Sequence, residues 1–210
     1  GGLVRCDFGE VSPLLDAIKA SHEANQLFVA AAGNNGLNND IYPFYPASFN
    51  VPNIISVAAT NHSDELAWFS NYGSSVDIAA PGVDILSTST ISCSIPILCN
   101  SSGYVSSYGT SFSTPFVSGT AALIKTLYPN ATNLRIKSAI IYSSDQIPLP
   151  ISGGRLNAFK ALKEAGDYTP PATINDLKVI NSTSTSITLK WTAPGDDGMD
   201  GIASYYDVRY

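Results

Sequence analysis

Apolar positions between Val11 and Gln26 recur at roughly helical spacing, at Leu14, Leu15, Ile18 and Ala24, with Ser12 before Pro13 as an N-cap and first-turn pair. This predicts an amphipathic helix. The pattern then becomes a continuous run, Leu27-Phe28-Val29-Ala30-Ala31-Ala32, closed by Gly33-Asn34-Asn35-Gly36, as expected of a strand buried on both faces and followed by a tight loop. Further short strands are predicted at Ile54–Ala59, Val76–Ala79 and Ile85–Ser87, separated by loops rich in Asn, Pro, Gly and Ser. Helical spacing returns from Ser111 to about Leu127, then from about Asn133 to Tyr142 and from about Leu156 to Ala165. Helices alternating with buried strands point to an α/β fold with a mostly parallel sheet.

At Tyr168-Thr169-Pro170-Pro171-Ala172-Thr173 the composition shifts to a proline-containing connector, and helical signals stop. Beyond it Ile174–Ile180, Ser186–Ala193 and Ser204–Tyr210 read as strands, with alternation clearest in Ile187-Thr188-Leu189-Lys190-Trp191. The predicted organisation is an α/β domain over 1–167, a linker over 168–173 and an all-β segment over 174–210.

A hydrophobic content of 44% in 210 residues indicates a globular protein. The net charge of -6 supplies no Lys/Arg stripe to displace counterions from phosphates, which argues against a nucleic-acid partner. No apolar run approaches the roughly 20 residues that span a bilayer, and the first residues lack the basic-then-apolar layout of a signal peptide. Three cysteines allow at most one internal bridge, with Cys93 and Cys99 as the candidate pair; three reduced thiols are the alternative. No Cys-x-x-Cys spacing suggests zinc or a redox dithiol.

The stretch with chemistry in it is Tyr108-Gly109-Thr110-Ser111-Phe112-Ser113-Thr114-Pro115-Phe116-Val117-Ser118-Gly119, where a small-residue turn enters an apolar helix. Ser111 sits at the junction, beside unpaired backbone N–H groups and the positive end of the helix dipole. A serine or threonine there also serves simply as a cap. The string resembles the nucleophile segment of subtilisin-like serine proteases, Gly-Thr-Ser-x-Ala-x-Pro-x-Val-Ala-Gly. The resemblance implies a three-layer α/β fold with a mostly parallel sheet, and Ser111 as the nucleophile.

Ala30-Ala31-Ala32-Gly33-Asn34 resembles the family's oxyanion segment, with Asn34 rather than Asn35 at the matching position; by itself Asn-Asn-Gly is also a plain turn. The same resemblance implies that Ala31, Ala32, Gly33, Phe44 and Thr110 contact substrate. Phe44 stands where many relatives are small, so a shallow or partly filled pocket is expected. Tyr45-Pro46 is expected to be a cis peptide.

A serine nucleophile needs a base, and in subtilisin the order is Asp, His, then Ser. The chain has two histidines, His22 on the first predicted helix and His62 in a polar turn. Neither has the family's His-Gly-Thr-His setting, and both are expected to be solvated surface residues. By resemblance Gly1-Gly2 aligns beyond the catalytic Asp and His segments, so the chain is expected to be inactive alone. Ser113, Ser118, Phe112 and Phe116 depart from the usual pattern without removing a catalytic group, and Phe116 is expected on a buried helix face.

No cofactor is expected for the chemistry. Structural calcium is compatible with the family, with oxygens from Asn38-Asn39-Asp40 or Asp64-Glu65, although these also read as polar turns. Asp196-Asp197-Gly198 lacks the later Glu of an EF-hand and reads as a hairpin loop.

The 174–210 segment resembles the first strands of a fibronectin type III domain, which needs about seven strands over roughly 100 residues. The expected intact protein is a secreted, monomeric serine endopeptidase acting on proteins or peptides. The alternative is a non-catalytic binding or adhesion scaffold. An esterase of the Gly-x-Ser-x-Gly type is disfavoured, because Ser113 occupies the last glycine's place.

Overall fold

The computed structural model describes residues 13–90, 102–166 and 172–194. Cys6, Cys93, Cys99, Asp196–Gly201 and the strand expected at Ser204–Tyr210 lie outside these. Two compact units are present, Gly1–Gly166 and Asp167–Tyr210.

In the first unit α1 (Pro13–Glu23) ends earlier than its apolar spacing predicts, because Asn25 takes a left-handed φ of 57° and turns the chain. β1 (Phe28–Ala31), β2 (Ile54–Thr60) and β3 (Ile78–Pro81) form a parallel sheet in that order, with Phe28 opposite Ile54 and Val57 opposite Ile78. Every residue of β2 is buried, as a central strand covered on both faces requires. β3 starts later than predicted: Val76 N–H closes a turn on Gly73 O, so the chain straightens only afterwards. The outer edge of β3 is covered by extended chain, where Ala79 N–H donates to Gly154 O and Leu156 N–H to Ala79 O. This pairing delays α4 (Ala158–Ala165), expected from Leu156, until Asn157 can cap it by accepting from Lys160 N–H.

Alternation along β2 separates two cores. Ile55 and Val57 pack with Ile78 and Ala80 against α2 (Thr110–Leu127) through Val117 and Ile124. α3 (Asn133–Tyr142) and α4 continue this layer with Ile136, Ile140 and Ala161. On the other face Ile54 and Ala30 meet Ile18 of α1. Helices therefore cover both sides of a parallel sheet, a three-layer α/β arrangement.

β4 (Ile85–Thr88) pairs antiparallel with β5 (Tyr104–Ser107), a strand that the sequence pattern does not predict. Phe116, 43% exposed, corrects the expectation of a buried face: with Leu123 and Leu127 it forms a stripe on α2 turned away from the sheet. In the second unit β6 (Lys178–Ser182) and β7 (Ile187–Lys190) form an antiparallel pair, and the Asp176 carboxylate accepts from the N–H and hydroxyl of Thr192.

Candidate functional site

β1 and α2 converge at the C-terminal end of the sheet. Ala32 N–H still donates to Val57 O, and Gly33 then turns the chain at φ 114°, a conformation that favours glycine. A Cβ on Gly33 would collide with the Asn71 amide and touch the Phe44 ring at 3.0 Å. Asn71, fully buried, holds the loop by accepting from Asn35 N–H and Leu37 N–H at 2.9 and 3.2 Å. It donates to Asn39 Oδ1, and Asn39 in turn donates to Ala32 O, both at 2.9 Å. These two amides build the loop that presents Asn34, and sequence pattern alone marked neither, since buried Asn and turn-forming Asn look alike in a loop.

From the other side, Gly109 at φ 145° is the N-cap residue of α2 and no side chain caps the helix, so neither Thr110 nor Ser111 serves as an ordinary cap. Thr110 instead donates to Asn34 Oδ1 from its backbone N–H and from its hydroxyl, each at 2.8 Å, while its hydroxyl accepts from Gly33 N–H at 3.3 Å. A backbone N–H can only donate, so the oxygen of the Asn34 amide must face Thr110 and its NH2 must face away. That NH2 and the serine both border Gly109: a Cβ placed there would lie 3.1 Å from Ser111 Oγ and 3.3 Å from Asn34 Nδ2. Ser111 Oγ and Asn34 Nδ2 make no hydrogen bond among the described residues, and both residues are exposed.

Asn34, Thr110, Ser111, Gly33 and Phe44 thus come together. Ala32 packs in the core on Ala58, Val76 and Ala79, and Ala31, the preceding residue of the strand, faces the other way and is half-buried. Phe44 is half-buried, with its N–H donating to Ser48 Oγ, and the Tyr45-Pro46 peptide is cis.

His22 is not the solvated residue expected. It is half-buried, and its Nδ1 lies 3.0 Å from Asn133 Nδ2, which also donates to the carbonyls of His22 and Gln26. His62 is exposed in the turn after β2. Asp77 is held by Ser56 N–H at 2.7 Å and pairs with Lys137 at 3.6 Å. Burial raises its pKa more than Lys137 and that N–H lower it.

The oxygens considered for calcium are engaged internally. Asn38 Oδ1 accepts from Asp40 N–H, Asn39 Oδ1 from Asn71, and Asp40 from the N–H groups of Ser74 and Ser75. Burial alone would raise the Asp40 pKa, but the backbone and side-chain hydrogen bonds of Ser74 and Ser75 together outweigh it and hold the carboxyl below its usual value. Asp64 pairs with Arg155 and Glu65 accepts from Asn61. Neither set fits a calcium cage, and among the described residues no group of three or more His, Cys, Asp or Glu side chains is placed to hold a metal.

The Subtilase family model matches residues 3–185 of this chain. The chain is a subtilase. That match continues past the boundary between the two compact units. The thermophilic serine proteinase of Bacillus sp. (strain AK1) is 39% identical over 160 residues, covering 75% of this chain and 35% of that protein. Thermitase of Thermoactinomyces vulgaris is 38% identical over 159 residues, covering 72% and 50%. The chain therefore spans between a third and a half of the length of these two subtilase relatives. Among solved structures, a protease from Pseudoalteromonas arctica PAMC 21717 superimposes with a TM-score of 0.64 at 30% identity, covering 74% of this chain and 48% of that one. The prenylagaramide maturation protease PagA gives 0.64 at 30%, covering 80% and 60%.

Proposed function

We propose that the intact protein is a secreted, monomeric serine endopeptidase and that Ser111 is its nucleophile. The observation that carries this is the Thr110–Asn34 clamp, which holds the Asn34 oxygen on Thr110 and leaves its NH2 bordering Gly109, as Ser111 Oγ also does. A peptide carbonyl entering that space is attacked by Ser111 Oγ. The oxygen that becomes negative is held by Asn34 Nδ2 and by the N–H groups in the first turn of α2. An Asp/His pair from the remainder of the catalytic domain takes the serine proton and returns it to the departing amine.

Ala31, Gly33, Thr110 and Phe44 border the bound substrate, with Ala32 supporting them from the core, and the substrate lies extended alongside the strands. No cofactor takes part. The engagement of His22 with Asn133 and the exposure of His62 in its turn support the view that this chain alone hydrolyses little or nothing. The exposed stripe of Phe116, Leu123 and Leu127 supports the view that further protein covers α2 in the intact enzyme. The β6–β7 pair is read as the opening of a fibronectin type III module, a spacer or surface-binding unit.

A fluorophosphonate probe applied to the complete protein, together with casein hydrolysis, tests this reading. Labelling and hydrolysis are both expected, and both are expected to vanish in Ser111→Ala. A complete protein that is folded yet neither labels nor hydrolyses is instead a non-catalytic scaffold.

A further inference from the structure

The loop that presents Asn34 ends in Asn35-Gly36, the one Asn-Gly pair in the sequence. In such a pair the glycine has no side chain to shield its backbone nitrogen from the asparagine side-chain carbonyl, so the two meet more readily than in other Asn pairs. Both residues are exposed, and among the described residues the Asn35 side-chain amide makes no hydrogen bond, whereas the amides of Asn34, Asn39 and Asn71 are held by partners. Gly36 takes a left-handed φ of 65°, and a Cβ on it would lie 3.3 Å from Trp68 O, so a side chain is disfavoured there. The turn that presents Asn34 thus keeps the glycine that leaves Asn35 open to attack.

The second observation is how the main chain around the pair is pinned. Asn35 N–H donates to Asn71 Oδ1 at 2.9 Å, Gly36 N–H to Phe69 O at 2.8 Å and Leu37 N–H to Asn71 Oδ1 at 3.2 Å. Three consecutive N–H groups therefore fix the spacing of the chain immediately after Asn34. An extra backbone atom between the first and second of them breaks that register. The φ of Asn35 is not positive, so the backbone itself does not call for asparagine at this position.

We propose that Asn35 is a deamidation site whose conversion shuts off the adjoining catalytic site. The shut-off rests on the protease reading above; the conversion does not. The Gly36 backbone nitrogen gives up its proton and bonds to Asn35 Cγ, the Cγ–Nδ2 bond breaks, and ammonia leaves with that proton. Water then opens the cyclic imide at either carbonyl, giving aspartate or isoaspartate, with no oxidation or reduction. The bond to Phe69 O holds the proton that must leave, so attack proceeds when this exposed segment opens locally, and it quickens as the pH rises. In isoaspartate the main chain runs through Cβ and Cγ, one carbon longer between the pinned Asn35 and Gly36 N–H groups. Either product also sets a carboxylate beside Asn34, against the charge that develops on the attacked carbonyl oxygen.

The test starts with the complete protein carrying Ser111→Ala, which removes self-digestion, incubated at mildly alkaline pH and mapped by peptic digestion at acid pH with mass spectrometry. The Asn35 peptide is expected to convert about tenfold faster than any other asparagine peptide, with isoaspartate scored by enzymatic methyl esterification. Conversion at Asn35 no faster than elsewhere overturns the proposal. In the complete protein with Ser111 intact, kcat per uncleaved chain is expected to fall in step with the converted fraction while KM stays constant. Asn35→Ser is expected to start at wild-type activity and keep it, and Asn35→Asp to start lower. Conversion with undiminished kcat overturns the shut-off. Conversion at Asn35 in a folded protein that never hydrolyses supports the modification and overturns the protease reading.

Discussion

The side-chain oxygen of Asn34 accepts two hydrogen bonds from Thr110, one from its backbone N–H and one from its hydroxyl, both at 2.8 Å. The Asn34 NH2, which borders Gly109 as Ser111 Oγ does, is therefore oriented by its neighbour. Removing one oxyanion donor costs about 100- to 1,000-fold in turnover, a range whose source case is subtilisin, a member of the same family. Asn34→Ala in the complete enzyme is expected to lower kcat by this order with KM little changed. Thr110 acts through Asn34: Thr110→Val keeps the backbone N–H but loses the hydroxyl bond, for an expected fall of about fivefold in kcat, and Thr110→Ser is expected to restore it. Steady-state kinetics of the three variants separate positioning from folding.

Gly109 keeps open the space that Asn34 Nδ2 and Ser111 Oγ both border. Gly109→Ala is expected to lose most activity, because its methyl would sit 3.1 Å from Ser111 Oγ and 3.3 Å from Asn34 Nδ2. Its φ of 145° adds backbone strain of about 1–3 kcal/mol. Thermal melting should show the modest destabilisation, and probe labelling the disproportionate loss of reactivity.

Ser113 is fully buried, and among the described residues its hydroxyl has no hydrogen-bond partner; it lies against Gly82. An unsatisfied buried polar group costs about 1–3 kcal/mol. Ser113→Ala is expected to raise the denaturant midpoint without changing the slope of the transition, since it removes the orphan and fits the same space.

Asp145 accepts from Lys160 and Arg155 at 2.7 Å and from Asn157 at 3.1 Å, and these bonds hold its pKa far below the ordinary 3.8. In the unfolded chain Asp145 returns to that ordinary value, so below it the unfolded state binds the proton first. Its stabilisation is complete above about pH 3.8 and is lost progressively as the pH falls toward the folded pKa. Asp145→Asn is expected to be less stable at neutral pH and to lose less on acidification. Urea titrations between neutral pH and pH 3 check the sign.

Phe44 lies against Gly33, immediately before Asn34. If its ring fills the space for the attacked residue, the wild-type enzyme favours small residues there, and Phe44→Gly shifts the preference toward Phe or Tyr by about tenfold or more in relative kcat/KM. A wild-type preference for Phe or Tyr at that position would contradict this.

The local structure at the two ends of the site, Ser111 and Asn34, was legible in sequence, because each stands where an apolar run meets small residues that turn the chain; the roles proposed for them came from the resemblance to subtilisin-like proteases. The middle was not. Asn39 and Asn71 act through contacts 32 residues apart, which no local pattern records. β5 is polar, and β4, with which it pairs, lies across a long intervening segment. His22 looked like a surface residue because its partner, Asn133, lies 111 residues away. Phe116 looked buried because α2 is apolar on more of its circumference than the sheet covers.

The frame that holds Asn34 is assembled from amides and a hydroxyl: Asn34, Asn39, Asn71 and Thr110. None of these groups ionises in water near neutrality. On the proposed mechanism the anion-holding half of the reaction is consequently indifferent to proton concentration and little touched by salt. A pH–rate profile of the whole enzyme then reads the ionisation of the base that serves Ser111, with no contribution from the opposite wall of the cleft.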